Sequence, residues 1–528
     1  MIKTDISVKI DYTSDDLKNA VISRLPIKKE ELGDVKILKR TLRISEETIE
    51  YKMTVALSLS EEREHGLLKI RNKVFPAEEF YFDVVKSKLP SRPIVVGSGP
   101  CGLFAALVLA EAGASPIILE RGLDVDARNK KVRDFERFAL LDPECNVQFG
   151  EGGAGTYSDG KLKAGSLDKY KMKVLSEFVS AGGAEDILYS STAHLGTDKL
   201  RSIVKSLREK IKSLGGEFIF SACLTDIKVK NGRIYSAIYK KDGVEYEVLS
   251  DNIILAHGHS ARDTFVMLKK LGVPMKSKGF GVGVRIEHPR ESVDKMVYGK
   301  HYKDGLESAS YHLVTHLNNG RSVYSFCMCP GGSVVAAASE NSGIVTNGMS
   351  EYLRDGENSN AAFLVSVTPE DFAGDDSLAG VELQRKIERA AFLAAGASYK
   401  APSQSMGSFL SGNIKDAGAD SLPSTYPIGT ETVSTEEYMP DFITDSLRLA
   451  IPDFDAWMPG FLNPSAVLTG PETRTTSPVR ILRNSAFEVP EFSGLYPAGE
   501  GAGYAGGIVS SAVDGIKCAE ALLLKYLR

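Results

Sequence analysis

Cys327 and Cys329, one residue apart in FCMCPGG, are the most chemically suggestive pair in the chain. On an extended strand alternate residues share a face, so both thiols can line one pocket wall and serve redox or nucleophilic chemistry. They cannot complete a tetrahedral zinc site alone, and no second cysteine pair or HxxxH follows. The structural alternative is two small side chains at a tight strand end before Pro330-Gly331-Gly332. Arg285, Glu287 and His288 put a guanidinium, a carboxylate and an imidazole within four residues. Such a cluster suits orienting a carboxylate substrate and supplying a proton, and a strand-end salt bridge is the competing reading. Arg474 and Arg480, around TTSP, either hold an anionic group or pair with acids in the core. His257 and His259, on either side of Gly258, are expected to shape a turn.

The stretch that must position these groups is Ile94 to Glu120, IVVGSGPCGLFAALVLAEAGASPIILE. It reads as strand, glycine turn, helix and second strand. Gly97, Gly99 and Gly102 stand in G-x-G-x-x-G spacing, for a sharp turn, backbone approach to a pyrophosphate and close helix packing respectively. The helix from Leu103 to Ala112 is rich in Ala and Leu, Gly113 sits at its C-cap, and its N-terminus offers free N–H groups and partial positive charge. Glu120 ends the second strand, where a carboxylate accepts from both ribose hydroxyls of an adenosine. A second glycine-rich loop, QFGEGGAGTYSDGKL at 148–162, resembles an anion nest whose backbone can lie against a flat ring.

With 528 residues, 43% hydrophobic and 25% charged, the chain is globular in composition and long enough for two or three domains. A net charge of −5 suggests no nucleic-acid surface. The N-terminus shows no signal or transit bias and no apolar run reaches the ~20 residues of a membrane span, so a cytoplasmic protein without a membrane partner is expected. Six cysteines in such a length do not make a disulfide framework, and Cys101, Cys223 and Cys518 read as small core residues. Residues 1–90 read as a separate α/β module, with a helix capped by Ser14 or Asp15 and Ser91-Arg92-Pro93 as the joint. Asn231-Gly232, Asp242-Gly243 and Asn319-Gly320 signal hairpins. Leu378 to Ala395 reads as a helix, and the last thirty-odd residues as a strand, a glycine turn and a terminal helix that rejoin the first sheet.

The motifs VVGSGPCGLFAALVLAEAG, FGEGGAGTYSDGKL, ILAHGHSARDTF, GVGVRIEHP, YSFCMCPGG, NGMSEYLR, ETRTTSPVRI and YPAGEGAGYAGGIVSSAVDGI run through residues 91–528. On these motifs the chain resembles the uncharacterised FAD-dependent dehydrogenase family within the two-dinucleotide-binding-fold flavoproteins. The resemblance implies an α/β fold: an FAD-binding Rossmann-like domain of glutathione-reductase type, an inserted α+β substrate domain and the small N-terminal α/β module. The boundaries expected are 1–90 for the module, 91–270 and 464–528 for the FAD domain, and 271–463 for the insert. It implies FAD contacts at Gly97, Ser98, Gly99, Pro100, Cys101 and Gly102, with Glu120 and Arg121 at the adenosine ribose. The flavin ring would lie beside Gly152, Gly153, Gly155, Thr156, Ser158, Asp159, Gly160 and Lys161, with Gly258 nearby. Gly499-Glu500 stands where many relatives carry Gly-Asp, and Gly506, Gly507 and Ile508 would open the last helix toward the flavin.

Cys145 has no neighbouring redox partner, and GFGVGVRIEH at 279–288 lacks the preceding parallel strand and the third glycine of a nucleotide unit. NAD(P)H is therefore expected only as a transient reductant. The function expected is hydride exchange between bound FAD and a small-molecule substrate, with Arg285, Glu287, His288, Cys327 and Cys329 as candidate catalytic residues. The alternatives are a flavoprotein role outside dehydrogenation, in RNA modification or sulfur chemistry, and non-catalytic FAD binding.

Overall fold

The computed structural model describes residues 1–70, 73–162, 167–372, 374, 376–414 and 421–527. Its centre is a five-stranded parallel sheet in the order Leu495–Pro497, Ile253–Leu255, Ile94–Val96, Ile117–Leu119 and Glu217–Ile219. Four of the five strands, all but Glu217–Ile219, are wholly buried, as parallel strands covered on both faces must be. Helix Pro100–Glu111, nearly all of it buried, packs against the terminal helix Ile508–Lys525 on one face. The chain thus returns to its first sheet through YPAGEGAG, as the sequence suggests.

Gly97 takes φ +94, and a Cβ there would stand 2.4 Å from the Ala256 carbonyl oxygen. At Gly102 a Cβ would stand 1.9 Å from the Gly97 carbonyl oxygen, so the first and third glycines let turn and helix close on the strand ends. The hairpin signals hold: Cys223–Lys230, Arg233–Lys241 and Val244–Leu249 form an antiparallel meander turning at Asn231-Gly232 and Asp242-Gly243.

A mixed seven-stranded sheet makes the second large layer, with Phe280–Pro289 at its middle between Asn358–Val367 and Val467–Glu472. Helices Ala379–Ala394 and Asp441–Trp457 cover it. GFGVGVRIEH is therefore continuous strand from Phe280 onward. Val467–Glu472, which a boundary at 463 leaves with the returning nucleotide segment, pairs with Phe280–Pro289 and Ala401–Ser405, so the sheet of the insert extends to Glu472. The boundary misses because a short apolar strand carries no mark of which sheet it joins. The chain passes between the two layers by adjacent antiparallel segments, Met275–Ser277 and Val479–Ile481.

At the N-terminus four strands, in the order Val35–Ile44, Ile49–Leu57, Ile2–Lys9 and Phe75–Pro76, carry helix Ser14–Arg24. Its N-cap is Thr13, one residue before the expected Ser14, in a capping box with Asp16. Arg40 joins this module to its neighbour through an ion pair with Asp186 at 3.2 Å and a stack on the Tyr189 ring.

Candidate functional site

A cavity of about 390 Å³ lies between the two large layers. Its floor is the glycine turn. Gly99 caps helix Pro100–Glu111, and a Cβ on it would meet nothing within 4 Å except the Gly153 Cα at 3.7 Å. Gly153 has φ +62 and faces Gly99, so backbone lines this part of the cavity on both sides. The N-terminus of helix Ile508–Lys525, capped by Gly507, opens onto the same space. Two helix ends therefore present unpaired N–H groups to one cavity, the arrangement that suits a phosphate-bearing ligand.

Of the residues expected around a cofactor, Gly97, Ser98, Gly99, Pro100, Cys101, Glu120 and Arg121 line it. So do Gly153, Gly155, Ser158, Asp159, Gly160, Lys161, Gly258, Glu500, Gly506, Gly507 and Ile508. Gly102, Gly152, Thr156 and Gly499 stand behind the wall. Gly152 packs on Thr156 and Val204, the Thr156 carbonyl accepts from Thr197, and Gly499, at φ +71, donates its N–H to Asp514 at 2.7 Å.

Glu120 is buried with its carboxylate filled. One oxygen accepts from the Ser98 N–H at 2.9 Å and hydroxyl at 2.7 Å, the other from the N–H groups of Gly122 at 2.9 Å and Gly150 at 3.0 Å. A carboxylate offers about four lone-pair positions, so a ribose hydroxyl reaches it only by displacing one of these donors. Arg121 likewise spends its guanidinium on protein, bidentate to Asp263 at 2.9 and 2.8 Å, with Nε on Glu144 at 3.0 Å.

Sequence reasoning passed over Arg128, on the polar helix Val125–Phe138. Fully buried, it donates to the carbonyls of Asn146, Val147, Gly150, Glu151 and Gly153, and so fixes the glycine loop. The signal available was an arginine at a position whose helical neighbours Val125, Val132 and Phe135 are apolar and buried.

The cavity wall opposite the turn comes from the seven-stranded sheet. Arg285 places Nε 2.5 Å from Glu472 and donates to the Cys327 carbonyl at 2.8 Å, Asn360 at 3.1 Å and Asn347 at 2.8 Å. Cys327, Asn347 and Glu472 reach the cavity, and Arg285 holds them from behind. Burial pushes the Glu472 carboxyl up to about 7, against the opposing pull of Arg285. Asp159 accepts from Arg354 at 2.9 and 2.6 Å and from Lys161 at 2.5 Å. Burial alone would raise its pKa, and the Lys161 and Arg354 charges overcome that and hold it well below the carboxylate range. Lys161 also donates to the Met328 carbonyl.

Glu287 and His288 do not join this wall. Glu287 accepts from Ser424, Thr425 and Asn358, which pins a neighbouring segment. His288 is buried, shares a hydrogen bond with the Phe461 carbonyl at 2.8 Å and is pushed down to about 4 by burial. Strand alternation explains it: Val282, Val284 and Ile286 face the hydrophobic core, and His288 follows them. The Arg285–Glu287 salt bridge does not form either, since Arg285 pairs across strands with Glu472. Arg474 pairs with Glu388 at 3.0 and 2.9 Å, and Arg262 holds the same carboxylate at 2.9 and 2.8 Å, so Arg474 serves a core ion pair. Arg480 donates to the Gly503 carbonyl at 3.0 Å.

Cys327 and Cys329 do not line one wall together: Cys327 reaches the cavity and Cys329 is wholly buried behind it. A β-bulge between Phe326 and Cys329 breaks the alternation and turns Cys327 to φ +40. The other four cysteines are free thiols, Cys101, Cys145 and Cys518 buried and Cys223 partly so.

His257 and His259 line the cavity, each 9% exposed; neither ring nitrogen of His257 has a hydrogen-bond partner, and His259 makes no hydrogen bond, its nearest polar neighbour being Glu500, 3.4 Å from Nδ1. Buried polar atoms without partners and a cradle lined by glycine backbone are what a site for a large polar cofactor leaves in a protein-only structure, so the residues fit FAD. Among the described residues no helix is long and apolar enough to cross a membrane, and no cluster of His, Cys, Asp and Glu suits a metal.

A family model described as "FAD-dependent protein, C-terminal domain-like" matches residues 279–475. A protein of Clostridium beijerinckii described as uncharacterized is 42% identical over 529 residues, which cover 99% of this chain and 98% of that one. Among solved structures, a flavin-dependent brominase overlaps with a TM-score of 0.37 at 12% identity, covering 83% of this chain and 80% of that one. A flavoprotein/dehydrogenase from Cytophaga hutchinsonii gives 0.35 at 13%, covering 82% and 78%.

Proposed function

From the premise that this chain, which belongs to one family with the uncharacterized Clostridium beijerinckii protein, carries the FAD-dependent C-terminal domain, we propose that it is an oxidoreductase whose FAD occupies the cavity between the two large layers. The observation that carries this reading is the convergence of two glycine-capped helix N-termini, at Gly99 and Gly507, on one cavity lined by Gly97, Gly99 and Gly153. Bound FAD supplies two-electron hydride chemistry. A small organic substrate is taken up against the wall of Cys327, Asn347 and Glu472.

In this reading Gly99 and Gly153 admit the pyrophosphate, and Glu120 keeps the glycine turn and the 150 loop in register through its four hydrogen bonds. The N-terminus of Ile508–Lys525 places positive potential at the far end of the cavity, which favours negative charge there. Lys161, anchored on Asp159, adds a cation close to the substrate wall. Arg285 is a positioning residue that fixes Cys327, Asn347 and Glu472. Glu472, near the middle of its titration at neutral pH, is suited to hold or release a proton at its carboxyl. NAD(P)H enters as a transient donor.

The test is to purify the full chain, denature it and identify the released flavin, then titrate the holoprotein anaerobically with a panel of hydride donors. FAD release and bleaching of the flavin band by at least one donor is the expected result. Release of FMN alone, or a protein that neither carries nor takes up FAD, overturns the reading.

A further inference from the structure

The hydride-transfer reading gives no chemical work to the Cys327 thiol at the cavity wall or to Cys329 behind it, yet their geometry is asymmetric. Cys327 stands at the cavity surface, and Cys329 has no exposure. The bulge at φ +40 bends the chain between them, and the Cys329 Sγ folds back to donate to the Cys327 carbonyl at 3.2 Å. A non-glycine residue in the left-handed region is strained, and such strain tends to sit where a side chain must be aimed. Two cations bear on the same spot: Lys161 donates to the Met328 carbonyl and Arg285 to the Cys327 carbonyl at 2.8 Å.

We propose that Cys327 and Cys329 form a thiol–disulfide exchange pair, Cys327 attacking and Cys329 resolving, that acts on a small disulfide admitted to the cavity. The inference rests on the function proposed above only for the molecule with which the pair shares that cavity. The Cys327 sulfur forms a bond to one substrate sulfur, the substrate S–S bond breaks, and the departing thiolate takes a proton. Cys329 then gives up its proton and attacks the Cys327 sulfur. The Cys327–Cys329 bond forms, the mixed disulfide breaks, and the second substrate thiolate is protonated and leaves. Two cysteine thiols are oxidised to one disulfide, and one substrate disulfide is reduced to two thiols.

The electrostatics set this order. The neighbouring Cys329 side chain, together with the charges of Lys161 and Arg285, holds the Cys327 thiol below the ordinary range against its burial. Beside the Cys327 thiol and buried, with its own S–H directed to the Cys327 carbonyl, Cys329 is held above the ordinary range. Cys327 is thus the thiolate, which is the attacking species. Once it is tied up in a mixed disulfide its negative charge is gone, and the two cations act on Cys329 instead.

The experiment treats the purified, reduced full-length protein with 2-hydroxyethyl disulfide and weighs the tryptic peptide Ser322–Arg354, which holds both thiols. Wild type is expected to give a peptide two hydrogens lighter with release of mercaptoethanol. Cys329→Ser is expected to trap a mercaptoethanol adduct on Cys327, and Cys327→Ser to leave its peptide unmodified. An unmodified wild-type peptide overturns the proposal, as does an adduct on Cys329 or undiminished reaction in Cys327→Ser. Wild type alone decides whether the internal bond forms, should either variant fail to fold. FAD content is scored separately. A protein without FAD that still closes the internal disulfide keeps the pair and sinks the flavoenzyme reading. One that holds FAD with an unreactive peptide sinks the pair alone.

Discussion

Arg285 and Glu472 meet on neighbouring strands of the seven-stranded sheet, Nε to Oε2 at 2.5 Å, with the arginine unexposed. Well above pH 7, where Glu472 is ionised, Arg285→Met leaves its carboxylate buried without a counter-charge; breaking such a pair costs about 3–5 kcal/mol, less wherever the acid can take up a proton instead. Thermal or urea unfolding should show that loss. Adding Glu472→Gln should return a part of it, because the orphaned charge is removed. Equal and additive losses in the double-mutant cycle would mean that the two side chains do not act as a pair.

His288 and His257 give the protein an acid-sensitive interior. Both are pushed by burial from 6.5 to about 4 and stay neutral in the folded state. Between pH 6.5 and 4 the unfolded chain binds the extra protons, so their contribution is whole above 6.5 and is lost as pH falls toward 4. Each site is worth about 3 kcal/mol across that window. His288→Gln should flatten the stability-versus-pH curve there by about one proton. An unchanged slope would place the titration elsewhere.

Gly99→Val and Gly102→Ala separate ligand approach from fold. The Cβ of valine at 99 makes only ordinary contact, 3.7 Å to the Gly153 Cα, while its methyls fill the gap between the two backbones, so the protein should keep its circular dichroism and lose FAD. Alanine at 102 would press its Cβ on the Gly97 carbonyl, so it should lower the melting temperature first. Full flavin occupancy in Gly99→Val would remove the pyrophosphate from the glycine turn.

The groups that bear on the Cys327 thiol are Cys329 on its own strand, Lys161 and Asp159 from the glycine loop, and Arg285 and Glu472 from the seven-stranded sheet. Iodoacetamide should therefore alkylate Cys327 with a pH midpoint below the ~8.5 of a free thiol. Lys161→Met takes away one cation, so the midpoint should move upward. A midpoint at the free-thiol value in wild type would show that the cations do not reach the sulfur.

Arg128→Met strips the glycine loop of its donor to five carbonyls. Buried groups left unsatisfied cost about 1–3 kcal/mol each, with water recovering some of them. A drop of at least ~3 kcal/mol together with weaker FAD retention is expected. Unchanged flavin affinity in a folded variant would mean that the loop holds its shape without the arginine.

Local chemistry wrote the legible parts. Ile94–Glu120 was read correctly because strand, glycine spacing and helix sit in one run of sequence, and Asn231-Gly232 because a two-residue turn needs those types. Leu378–Ala395 emerged as helix Ala379–Ala394 for the same reason. Long-range pairings were not legible: Glu388, shared by Arg262 and Arg474, lies 126 and 86 residues from them. Nothing in the sequence around Glu472 marked it as the partner of Arg285. His288 was misplaced although the parity of Val282, Val284 and Ile286 pointed it inward. The bulge that parts Cys327 from Cys329 has no sequence signature, and the shared-face rule of a regular strand fails there.

Met275–Ser277 and Val479–Ile481, the paired crossings between the layers, lie side by side, so the long segment they bracket begins and ends at one place. Segments whose ends meet are the ones that chains tolerate losing, gaining or exchanging. The seven-stranded sheet with its helices therefore hangs from the parallel-sheet body on that one paired crossing. Cys327, Asn347 and Glu472 lie inside the bracketed segment and the glycine turn lies outside it, so the two facing walls of the cavity come from separate stretches of chain.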